Sequence, residues 1–92
     1  MPSYLLELYV PRACPPARAA DDARRVEEAA ALDGEPLRYV RTIFVAEDET
    51  CFHVFEARSR EALVKASRRA GLADPRVTKA VEREPPSDAR RE

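Results

Sequence analysis

A chain of 92 residues can bury one small core but not two, so a single domain is expected. Its 16 basic and 17 acidic side chains leave a formal net charge of -1, which lacks the positive field needed to neutralise a phosphate backbone and argues against nucleic acid as a partner. The apolar run Tyr4-Leu5-Leu6 stops at Glu7, far short of the ~20 residues that span a bilayer, and no leader with a cleavage site precedes it, so a cytoplasmic chain without a membrane partner is expected.

In chain order, Ser3 to Val10 alternates apolar even positions (Tyr4, Leu6, Leu8, Val10) with odd positions that include Glu7, the period of a strand. Pro11, Pro15 and Pro16 make the next stretch a connector, because proline removes a donor and fixes φ. Good helix formers from Ala17 to Leu32, with Asp21 and Asp22 early and alanines at helical spacing, predict a helix that lies close on a sheet. Gly34 is placed to end it. Leu37 to Ala46 and Thr50 to Ala57 read as an antiparallel pair joined by Glu47-Asp48-Glu49. Ser59 is an N-cap for a second helix through Ala70, closed by Gly71, and Arg76 to Glu82 supplies a fourth strand. The domain is expected over residues 1–83, with a disordered tail over 84–92. Cys14 and Cys51 are expected to be free thiols.

The order βαββαβ predicts an α+β fold, a ferredoxin-like sandwich in which a four-stranded antiparallel sheet carries both helices on one face and strands one and three are central. Each strand then has one side under the helices and one on the open face. Arg41 is the residue of strand two least tolerable in a core, which assigns Val40, Thr42 and Phe44 inward and Tyr39, Arg41, Ile43 and Val45 outward. The same test sends Leu6, Leu8 and Val10 inward and Leu5, Glu7 and Tyr9 outward. In strand three, Phe52 and Val54 are expected in the core and Cys51, His53 and Phe55 on the open face.

That assignment gathers Glu7, Tyr9, Tyr39, Arg41, Cys51 and His53 on one surface within an apolar frame. Carboxylate, thiolate and imidazole are ligands for a late divalent metal and also usable acid and base groups. Two uses follow: a homodimeric protein binding nickel or another divalent transition metal through Glu7, Cys51 and His53, or a small-molecule enzyme or ligand-binding protein of isomerase, cyclase or oxygenase type, with Tyr9, Tyr39 and Arg41 against the ligand. An open face used only for pairing is the third. No glycine-rich phosphate loop, Cys-x-x-Cys, His-Glu-x-x-His or nucleophile elbow occurs.

The run from Leu37 to Ala57, with Ser59-Arg60-Glu61-Ala62, Ala66 to Leu72, Pro2 to Glu7 and Arg76 to Val81, resembles a family of small bacterial proteins long listed as a domain of unknown function and later named for a nickel-binding member. Glu47 to Phe52 is its most specific part. The resemblance implies a ferredoxin-like homodimer, with nickel bound by at least one relative and Glu7, Cys51 and the position of His53 as the corresponding candidates.

Overall fold

The alternation at the start of the chain folds as predicted in kind. In the computed structural model, which describes residues 1–85, β1 runs Ser3–Tyr9 with Tyr4 and Leu6 buried. The proline connector leads into a single helical turn, α1 (Pro16–Ala19), and Ala20 separates it from α2 (Asp21–Leu32), so the one helix expected from Ala17 is broken at its first turn. Gly34 follows α2 with φ +70, a left-handed conformation that lets the chain reverse toward the sheet.

Strands β2 (Leu37–Val45) and β3 (Thr50–Ala57) flank a 3-10 turn at Ala46–Asp48, after which Glu49 takes a left-handed φ of 48. Helix α3 (Arg60–Arg69) begins at Ser59, whose hydroxyl accepts from the Ala62 N–H as an N-cap, and β4 (Arg76–Ala80) stops two residues before the expected end. The disorder expected from Glu84 onward falls mostly on residues outside those described.

The sheet has the order β2-β3-β1-β4 with every pairing antiparallel, an α+β arrangement compatible with a ferredoxin-like sandwich. Ala23, Val26 and Ala30 of α2 and Leu63 and Ala66 of α3 share one core with Tyr4, Leu6, Leu37, Phe55, Ala57 and Val77, so both helices cover the same face. The small side chains of α2 let it approach the strands closely, as its alanine spacing predicted.

Registers fix which residues lie under the helices. One inward row across the sheet is Thr42, His53, Leu6 and Val77, and the next is Phe44, Cys51 and Leu8. The outward rows are Arg41, Val54, Leu5 and Thr78, then Ile43, Phe52, Glu7 and Arg76. Strand three is therefore turned over relative to the sequence expectation: Cys51, His53 and Phe55 are 0% exposed beneath the helices, and Phe52 and Val54 face out. Both sides of that strand are largely apolar, so periodicity alone does not choose between them, and a histidine with a hydrogen-bond partner, here Thr42, is tolerated in the core.

Tyr39 is displaced for another reason. A bulge lies between Tyr39 and Arg41, so Val40 has no partner on β3 and the parity of β2 changes there. Leu37 and Tyr39 thus lie inward on one side of the bulge, and Thr42 and Phe44 on the other. Counting alternate residues through an irregular strand put Tyr39 on the open face, where it is not.

Candidate functional site

The residues expected to form one cluster occupy both faces of the sheet. Glu7, Tyr9 and Arg41 face outward, whereas Tyr39, Cys51 and His53 face the helices. Glu7 is separated from the thiol and the imidazole by the sheet itself, and Arg41 pairs with Glu82 rather than with Glu7. The proposed metal ligands Glu7, Cys51 and His53 do not converge, and neither do Tyr9, Tyr39 and Arg41 as ligand contacts.

Beneath the helices a short polar chain remains. The Tyr39 hydroxyl hydrogen-bonds with the Thr42 hydroxyl, and Thr42 Oγ1 lies 2.8 Å from His53 Nδ1. Tyr39 also meets the imidazole edge-on, with ring centroids 6.2 Å apart. Burial lowers the His53 pKa, only partly offset by the charge of Asp22, so the ring is neutral at pH 7.

Cys51 Sγ lies 3.7 Å from His53 Nε2 and 3.9 Å from Nδ1. Near-equal distances place the sulfur beside the ring, in line with neither nitrogen. A tetrahedral metal shared by the two side chains would set the sulfur ~3.5 Å from its nitrogen but more than ~4.5 Å from the other, on usual bond lengths. The pair is thus not arranged for joint ligation. Among the described residues no group of three or more His, Cys, Asp and Glu side chains is arranged to hold a metal ion. Burial, with smaller contributions from Asp22 and Cys14, pushes the Cys51 thiol up to about 11, so it is neither a ready ligand nor a nucleophile.

A cleft of about 500 Å³ opens where β1 ends. Tyr9 and Pro11 form its strand side, Cys14 its loop side, and Arg18, Asp22 and Arg25 its helical side. Its apolar floor is Val10 and Ala19, which pack against buried Cys51 together with Cys14 and Phe44, so the Cys51 thiol lies behind the floor. The proline connector shapes this wall: the Cys14 N–H donates to the Pro11 carbonyl, and the Arg18 and Ala19 N–H groups donate to the Pro15 carbonyl.

Charge in the cleft is unevenly committed. Arg25 pairs with Asp22 and Arg24 with Asp21, but the Arg18 guanidinium has no hydrogen-bond or ion-pair partner among the described residues. Of these residues only Tyr9 stands out in the sequence as a ligand contact, while Cys14 reads as a free thiol in the connector and Asp22 as an early residue of the helix. Their one available signal was three prolines holding a cysteine beside a strand end.

The fold is shared with a solved structure. The crystal structure of SCO4226 from Streptomyces coelicolor A3(2) superposes with a TM-score of 0.69 over 89% of this chain and 99% of that one, at 12% identity. That identity speaks for the fold alone. No family model matches the chain, and no curated protein matches it. No helix among the described residues is long and apolar enough to cross a membrane.

Proposed function

We propose that this chain is a ferredoxin-like, cytoplasmic ligand-binding domain whose site is the cleft between the proline connector and the start of α2. The observation that carries the reading is an unpartnered guanidinium, Arg18, on the wall of a cleft with an apolar floor. A volume of about 500 Å³ lies within the usual range for small-molecule sites. Arg18 would take a carboxylate or phosphate of the ligand in charge-assisted hydrogen bonds, Tyr9 and Pro11 would cover its apolar part, and the Asp22–Arg25 pair would orient a polar substituent. Small organic acids are therefore the ligand class.

The test is a thermal-shift panel of small carboxylic acids and inorganic phosphate against wild type and Arg18→Ala. Stabilisation by a panel member that disappears in the variant supports the reading; no stabilisation by any organic acid contradicts it.

A divalent transition metal of nickel type is the second reading, with Cys51, its neighbour His53, and Cys14 of the same packing cluster as the side chains that would have to rearrange around it. It requires the His53 ring to turn and the Cys51 proton to leave, and Glu7 takes no part. Calorimetric titration with nickel, saturable in wild type and lost in Cys51→Ala, would favour it over an organic ligand. In either case pairing with a second copy uses the uncovered outward row of Ile43 and Phe52 on the open face.

A further inference from the structure

Among the described residues β2 and β4 are the outermost strands of the sheet, and each is met by a charged side chain from the helix packed beside it. Glu27 of α2 accepts the Tyr39 N–H of β2 at 2.8 Å, and Arg60 at the start of α3 donates from Nε to the Val77 carbonyl of β4 at 3.1 Å.

The ladder tells which way those backbone groups point. The Ala57 N–H donates to the Pro2 carbonyl and the Val10 N–H to the Glu49 carbonyl, in the register that pairs Leu6 with His53, so the even-numbered residues of β1 turn their backbone groups toward β3. Its odd-numbered residues then bond to β4, where Leu5 stands opposite Thr78 and Glu7 opposite Arg76. Val77 and Lys79, opposite Leu6 and Tyr4, are left with N–H and C=O groups that point off the sheet. The same parity carried across β3 turns Tyr39, opposite Phe55, off the other edge. Each helix side chain therefore occupies a backbone group that an added strand would need.

The two edges differ in what else protects them. β2 is broken by the bulge between Tyr39 and Arg41, which interrupts any strand laid along it. β4 keeps an unbroken register from Arg76 to Ala80. A regular strand edge is its own complement, because two copies laid antiparallel are related by a two-fold axis and exchange the same N–H and C=O groups.

We infer that Arg60 is a guard on the β4 edge: while its guanidinium holds the Val77 carbonyl, a second copy of this chain cannot add its own β4 there. Withdrawal of Arg60 opens that edge to antiparallel pairing, with Val77 of each copy opposite Lys79 of the other. The inference stands apart from the cleft and from pairing on the open face.

The experiment uses the full chain, the variant Arg60→Met, which keeps an aliphatic stem and removes the donor, and Arg60→Met combined with Lys79→Pro. The Lys79 N–H points off the sheet, so proline there leaves the β1 ladder intact while deleting a donor that an added strand needs. Sedimentation equilibrium is expected to show the association constant of Arg60→Met raised by about tenfold or more over wild type, the worth of one hydrogen bond to a charged group, and returned to the wild-type value in the double variant. Amide exchange locates the contact, with Val77 and Lys79 gaining protection as the concentration of Arg60→Met rises. An unchanged association constant overturns the inference. So does association that survives Lys79→Pro or leaves the Val77 and Lys79 amides unprotected, the pattern of a destabilised chain associating through its exposed core.

Discussion

Thr42 and His53 face each other across the β2–β3 ladder, and their side chains meet at 2.8 Å beneath the helices. The contact exists because the bulge at Val40 turns Thr42 to the same side as His53 while letting Tyr39, three residues earlier, reach the same hydroxyl. It makes His53 a satisfied core residue, and its titration a matter of stability.

The sign of that effect follows from the lowered pKa. Between the depressed folded value and the unfolded value of 6.5 the unfolded chain binds more protons, so the contribution is fully present above pH 6.5 and is lost as pH falls through the folded pKa. Asp22 opposes the shift, and Cys51 beside the ring stays a neutral thiol in this range. Urea unfolding from pH 8 to pH 5 should show wild type losing stability more steeply than His53→Leu. Parallel profiles would mean that the imidazole is not desolvated.

Thiol reactivity should divide sharply between the two cysteines. With its pKa near 11, roughly one in a thousand Cys51 thiols is ionised at pH 8, and the sulfur is 0% exposed. Cys14 sits half-buried in the cleft wall. Iodoacetamide at pH 8 should therefore modify Cys14 at least about 100-fold faster, by peptide mass spectrometry, and denaturant should abolish the difference. Equal rates in the native protein would contradict the burial of Cys51.

Glu27 of α2 caps the irregular part of β2, because its carboxylate accepts the Tyr39 N–H at 2.8 Å on a strand that lies at the edge of the sheet among the described residues. Glu27→Ala should cost about 1–3 kcal/mol in urea unfolding by leaving that donor part-buried without a partner. Glu27→Gln keeps an acceptor and should recover most of the loss. A Glu27→Ala protein as stable as wild type would sink this role.

Ser67 presents the opposite case. Its hydroxyl is fully buried on α3 with no hydrogen-bond partner among the described residues. Ser67→Ala should be neutral or stabilising by about 1 kcal/mol, since it removes a desolvated polar group and leaves only a small space. Destabilisation above about 1 kcal/mol would point to a partner for that hydroxyl.

Element type and order were legible because each segment announces itself locally: alternation in Tyr4 to Val10, the alanine spacing of α2, the Ser59 cap and the prolines around Cys14. Face assignment was legible only where a charge decided it, as Glu7 and Arg41 did. In β3, with Cys51, Phe52, His53, Val54 and Phe55 in sequence, either parity buries apolar surface, and the choice is made by the register with Leu6 and Leu8 of β1. Pairing register is a long-range property that a single strand does not carry. The bulge at Val40 has the same character: no glycine or proline marks it, and the Glu27 contact that accompanies it comes from another element. The cleft was hidden because Cys14, Arg18 and Asp22 belong to three segments brought together only by the turn at Pro15.

The claim that binding occurs at the end of β1, under the proline connector, is tested most directly by amide NMR during titration with an organic acid that stabilises the protein. Shift changes confined to Tyr9 through Arg25, absent in Arg18→Ala, are the predicted result. Changes centred instead on Ile43, Phe52 and Glu7 of the open face, and retained in Arg18→Ala, would contradict it.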